Sequence, residues 1–108
     1  MDSDRELLAW AAKAAGLTIS RWVDGVPQLA SDTHQLGKVW NPRTDNGQAF
    51  ELAMLVDITV RRIDPYVYAI GKTQHQARFD NSEAMMSAAR EAVVLAAAHV
   101  GGIMANLQ

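Results

Sequence analysis

The run Trp40, Asn41, Pro42, Arg43, Thr44, Asp45, Asn46, Gly47, Gln48, Ala49, Phe50 leaves the backbone fewer choices than any other stretch of this chain. The Pro42 ring fixes its own φ and crowds Asn41, so both residues are held out of helix. Thr44, Asp45 and Asn46 then supply short oxygen-bearing side chains that accept from free backbone N–H groups, which is how a helix start is capped. A helix from about Gly47 or Gln48 is expected, with Asp45 as its cap and Gln48 as the capping-box partner. Trp40 anchors the loop to the sheet or to this helix, with recognition of a partner as the alternative role. Trp40, Asn41, Arg43 and Asp45 thus make up the candidate binding or structural loop.

Periodicity organises the rest. Ser3 and Glu6 match a capping box, and Leu7, Leu8, Ala11, Ala12 and Ala15 recur at helical spacing, which predicts a helix over Asp4 to Ala15 with Gly16 just past its end. Trp10 borders that apolar stripe. Leu17 to Val23 alternates, with Leu17, Ile19 and Val23 on one face and Thr18, Ser20 and Trp22 on the other. Asp24-Gly25 is a hairpin signal, so Val26 to Ala30 returns antiparallel, Pro27 marking an edge. Ser31 to Val39 reads as a loop or an irregular continuation of that strand.

The nearly continuous apolar run from Ala49 to Val56 is a short helix covered on most sides, ended by Asp57. Three strands follow at Ile58 to Ile63, Tyr66 to Ile70 and Thr73 to Phe79, with turns at Asp64-Pro65 and Gly71-Lys72. Asp80 and Glu83 form an acidic capping box for an Ala-rich helix from Glu83 to Val100. Gly101 and Gly102 either end it or lie inside a continuation to Asn106, where tight packing offsets roughly 1 kcal/mol per glycine. The predicted order is αββαβββα in a single domain spanning residues 1–108. The polar stripe of the last helix, Glu83, Ser87, Arg90 and Glu91, gives way to Val94, Ala98, Gly101 and Gly102. A helix that loses its wet face is buried in the domain or pressed against another chain, so these four are the candidate self-association residues.

Chemistry is harder to find. The chain has no cysteine, which excludes disulfides, thiolate metal sites and cysteine nucleophiles. His34, His75 and His99 lack the local spacing of a zinc site, and His99 falls in the last turns of the long helix, where partial positive charge suits the macrodipole. Asp24, Asp32, Asp45, Glu51 and Asp57 are scattered carboxylates. No GxSxG, GxGxxG or GxxxxGK[ST] pattern occurs, so neither a nucleophile elbow nor a nucleotide site is indicated. Arg61, Arg62, Lys72 and Arg78 interleave with Tyr66 and Tyr68, but Arg61 and Arg62 point to opposite faces of a strand, which splits the patch. With 12 acidic and 10 basic residues and a net charge of -2, nucleic acid is not the expected partner. The acidic N-terminus and the lack of a long apolar run point to a protein of the cytoplasm rather than of a membrane.

The opening helix with Leu7, Leu8, Ala11, Ala12, Ala14, Ala15 and Gly16, then Trp40, Asn41, Pro42, Thr44, Asp45, Gly47, Ala49, Leu52 and Ala53, resembles the phage ABA sandwich domain family. The Ala-rich closing helix, with Ala88, Ala89, Arg90, Ala92, Val93 and Ala96 to Ala98, resembles that family's last segment. These are small phage and prophage proteins of no established activity, so no catalytic residue carries over. The resemblance implies helices on both faces of a central sheet. Members tend to be more acidic after the Thr-Asp pair, where this chain has Asn46 and Gln48, which weakens any metal role for the turn.

The expectation is an α+β protein, an α/β/α sandwich whose central, largely antiparallel sheet of about five strands has helices on both faces. Its function is expected to be that of a phage or prophage accessory protein, not an enzyme. It would act without cofactor in the bacterial host cytoplasm by binding a macromolecule, such as a host factor or defence component. The alternatives are a small metal-dependent hydrolase or nuclease using the carboxylates, and a structural homo-oligomer, a homodimer through the last helix included.

Overall fold

The computed structural model describes residues 4–30 and 38–106. The Ser3 cap, Asp32, His34 and the loop over 31–37 lie outside the described residues. The order is α1 (Asp4–Ala15), β1 (Ile19–Val23), β2 (Val26–Leu29), β3 (Lys38–Val39), α2 (Asn46–Val56), β4 (Thr59–Ile63), β5 (Tyr66–Ile70), β6 (Gln74–Arg78) and α3 (Ser82–Asn106). The class is α+β. The strands form two antiparallel sheets, β1-β2-β3 and β4-β5-β6, in place of the single central sheet expected. β3 is an addition that the weakly patterned sequence before Trp40 did not announce.

The first sheet corrects the strand reading in two places. Ile19 pairs with Leu29 but Arg21 pairs with Gln28, so the register shifts between them and a bulge turns the strand. Ile19 and Trp22 therefore both pack on the core, while Val23 faces solvent. Pro27 sits in the middle strand, not at an edge. Its carbonyl takes the Trp40 N–H at 2.9 Å on the side where β3 has already ended, so its missing N–H costs the ladder little. The Asp24-Gly25 turn is as expected, both residues having positive φ of 52° and 79°.

The second sheet is a meander, paired Val60↔Ala69↔His75 and Arg62↔Val67↔Ala77 on one face. That face packs on α3 through Val67, Ala69 and Ala77. The opposite face carries Thr59, Arg61, Ile63, Tyr66, Tyr68, Ile70, Gln74, Gln76 and Arg78, none of them buried, so the sheet is not flanked by helices on both sides.

The centre of the molecule is α3. It continues through Gly101 and Gly102 to Asn106, capped by Asn81, whose Oδ1 accepts from the Ala84 N–H at 2.9 Å. Asp80, the cap expected, instead meets Arg78 at 3.4 Å. Ala92, Val94, Ala97 and Ala98 of α3 are buried with Leu8, Ala11 and Ala12 of α1, and Leu52 and Ala53 of α2 join the same core. Small side chains let the helices approach closely. A Cβ on Gly101 would fall 1.8 Å from the carbonyl oxygen of Trp10. Both shorter helices end in Schellman motifs: Leu17 N–H to Ala12 O at 2.9 Å after α1, and Ile58 N–H to Ala53 O at 2.8 Å after α2. Gly16 and Asp57 take the left-handed position, with φ of 75° and 59°.

Candidate binding surfaces

The Trp40 to Phe50 stretch is built as a junction. Trp40 and Pro42 are buried, and Asn41 organises the turn by accepting from the backbone N–H groups of Thr44 and Asp45 at 3.1 and 3.0 Å. Asp45 caps α2 from extended backbone, its Oδ1 accepting from the Gln48 N–H at 2.9 Å. Gln48 does not return the bond to Asp45. Its side chain reaches further back, accepting from the Asn41 N–H at 2.6 Å and donating to the Val39 carbonyl at 2.9 Å, which ties α2 to the end of β3. From the other side Arg90 of α3 donates Nε to the Arg43 carbonyl at 2.7 Å and Nη1 to Asn46 Oδ1. The sequence places Arg90 in a polar stripe and gives no sign of this reach across the fold. Asp45→Ala should cost about 1 kcal/mol, read as a lower urea midpoint, because Gln48 and Arg90 still hold the junction when the cap is lost.

The stripe of α3 has gone inward. Val94, Ala98 and Gly101 are buried within the same chain, Gly101 directly against Trp10 of α1, and Gly102 is half-buried, so three of the four residues expected to meet another copy are covered by the chain's own core. Hydrophobic surface is left elsewhere. Phe50 and Met54 of α2 are 68% and 67% exposed, and Val60 and Met86 are each 44% exposed. Phe50, Val60 and Met86 border a groove of about 180 Å³ between α2, β4 and α3, whose walls include Ala49, Ala53, Ala89 and Val93. Apolar residues over most of α2 suggest a helix covered on most sides. In the structure only Ala49, Leu52 and Ala53 of that helix are buried.

Two residues distant in sequence meet at a second place. His75 Nε2 lies 3.3 Å from His99 Nδ1 and 3.2 Å from Thr73 Oγ1, with the two rings edge to face. They border a cavity of about 360 Å³ with Leu7, Trp10, Leu95 and Ile103. His99 is not in the last turn of α3, so its neighbour is His75 rather than a helix terminus. Among the described residues no group of three or more metal-ligating side chains gathers here or elsewhere. Burial, and then the charge of His99, hold His75 below the usual imidazole value of 6.5. The unfolded chain binds that proton more readily, so this contribution to stability is complete above the unfolded value and is lost as the pH falls below about 6.5. Urea titrations between about pH 7.5 and pH 5.5 should show a fall that His75→Gln flattens.

Three of the five scattered carboxylates have structural posts. Asp24 occupies the hairpin turn, Asp45 caps α2, and Asp57 takes the left-handed position after α2. Of the basic residues, Arg61 shares the open sheet face with Tyr66, Tyr68 and Arg78, and Arg62 is on the other face, as the alternation predicts. Arg62 binds Asp64 through Nε and Nη2 at 2.6 and 3.2 Å, and that hydrogen bond holds the Asp64 carboxyl below the usual range. No described helix is long and apolar enough to cross a membrane. No family model matches the chain, and no curated protein or solved structure matches it either.

Proposed function

We propose that this chain is a small binding module that engages a macromolecular partner through the apolar surface of α2, β4 and α3. The observation that carries the reading is the exposure of Phe50, Val60 and Met86 around one groove, with Met54 exposed one helical turn beyond Phe50 on α2. Monomeric proteins seldom leave contiguous apolar patches above a few hundred Å² unless the patch is used, because that area is stabilised by leaving water. The polar junction at one end of the groove fixes α2 to β3 and α3, so the surface is presented on a rigid support. The resemblance to the phage ABA sandwich domain family supports a phage or prophage accessory role in a bacterial cytoplasm. The structural posts of Asp24, Asp45 and Asp57 favour binding over a carboxylate-based hydrolase. A rise in melting temperature with divalent cations would reverse that preference.

The test compares affinity capture from bacterial cells by the wild-type chain and by a Phe50→Asp, Met54→Lys double variant of verified fold. A partner retained by the first and lost by the second supports the reading. Identical captures by both, with self-association also unchanged between them, would remove it.

A further inference from the structure

Resting on that reading of the surface, we infer that its occupant is a second copy of this chain, docked face to face about a two-fold axis. The shape of the patch carries the argument. Phe50 and Met54, one helical turn apart, make an exposed apolar ridge on α2, and Phe50 itself borders the groove walled by Ala49, Ala53, Ala89 and Val93. A two-fold operation gives each copy both the ridge and the groove, so each Phe50 enters the groove of the other copy. At about 180 Å³ the groove has room for one phenyl ring, since an apolar cavity of about 150 Å³ holds a benzene molecule. A peptide helix lying in the groove would fill it and leave the ridge in water.

Area points the same way. At exposures of 68%, 67%, 44% and 44%, Phe50, Met54, Val60 and Met86 present on the order of 400 Å² of apolar surface. A standard interface buries about 800 Å² per partner and is a little over half apolar, so the patch supplies one side of such a contact. Two of its four anchors are methionines, whose flexible thioethers adapt to a neighbouring surface.

Charge argues against strongly charged occupants. Among the described residues Arg90 is the one charged residue that borders the groove, and its guanidinium is held by the Arg43 carbonyl and Asn46, while Arg62, two residues after Val60, is paired with Asp64. With a single, hydrogen-bonded cation at its border, the groove meets a second copy with little repulsion and offers a polyanion or a strongly charged peptide little matching field. The free edge of β4 carries Arg61 and Arg62 at its centre, and charges there oppose extension of the sheet from one copy into the next. Contact is therefore between the helical faces.

Sedimentation velocity or light scattering on the full chain, from about 1 µM to about 100 µM, tests this. The expected result is a dimer at the upper concentrations. Phe50→Asp, and separately Phe50→Ala, should raise the dissociation constant by at least about 100-fold. Circular dichroism and the melting temperature should show the fold kept, because the side chain is exposed. Leu55→Asp changes an exposed residue on another face of α2 and should leave the dimer as in wild type. A strict monomer at the highest concentration, or a dimer unmoved by Phe50→Asp, overturns the inference. If that monomer still captures a partner in a Phe50-dependent way, self-docking alone falls. If capture is also indifferent to Phe50, the reading of the surface as a binding face falls with it.

Discussion

Gly101→Ala should destabilise the chain by about 3 kcal/mol or more, while Gly102→Ala, one residue on, should stabilise it by up to about 1 kcal/mol. Both glycines lie inside α3, where alanine is the better helix former by roughly 1 kcal/mol. What separates them is the neighbour. A Cβ at Gly101 would stand 1.8 Å from the Trp10 carbonyl oxygen, 2.6 Å from its carbon and 3.0 Å from its Cα, so the added methyl meets main chain that no rotamer change can move. Helix α1 must retreat as a body, and the contacts of Leu8, Ala11 and Ala12 go with it. At Gly102 a Cβ meets nothing within 4 Å. For a domain of this size each kcal/mol is about 4–8 °C of melting temperature, so the two variants should separate by well over 10 °C in opposite directions. A Gly101→Ala protein as stable as wild type would mean that α1 does not lie against α3 at this distance.

The same glycine shows how far sequence reaches. The loss of the polar stripe beyond Glu91 says correctly that something covers Val94, Ala98 and Gly101, and it cannot say whether the cover belongs to the same chain. Burial against α1 depends on how two helices about ninety residues apart come together. Local signals fared better. Asp24-Gly25, Gly16 and Asp45 fix backbone conformation within a few residues, and each is found where its chemistry requires. The strands of the second sheet were legible for the same reason, their turns being short and their alternation clean.

Strand membership in sheets was not legible. A bulge near Ser20 reverses which of Trp22 and Val23 faces inward, and nothing in an alternating pattern marks it. The surface that matters most was misread through composition. Ala49 to Val56 is apolar enough to suggest burial on most sides, yet hydropathy records only that a side chain avoids water and not what it packs against. The small-residue stretch of the last helix is largely covered within the chain, and the exposed apolar side chains include Phe50, Met54 and Leu55 of α2. The His75 and His99 contact, spanning 24 residues of sequence, was equally out of reach.

Trp40→Ala should cost about 3–5 kcal/mol, as large aromatic truncations in a packed core do. Trp40 is only 3% exposed and belongs to the core that joins α1, α2 and α3. Its backbone N–H to Pro27 survives the change, so the loss is one of packing and of the cavity left behind. Trp40→Phe, which refills much of that volume, should recover more than half of the stability. Both values follow from urea unfolding monitored by far-UV circular dichroism, with the slope of the transition unchanged. Burial also decides what Trp40 can do in binding. A side chain out of reach of solvent touches no partner, so any weakening of self-association in Trp40→Ala should track the fraction unfolded and vanish where folding is complete. Phe50→Asp should behave in the opposite way, losing association with the melting temperature held. If Trp40→Ala weakened association in fully folded protein, the junction would be transmitting its disturbance to the Phe50 ridge through Gln48 and Arg90. Substituting Gln48 should then reproduce the effect.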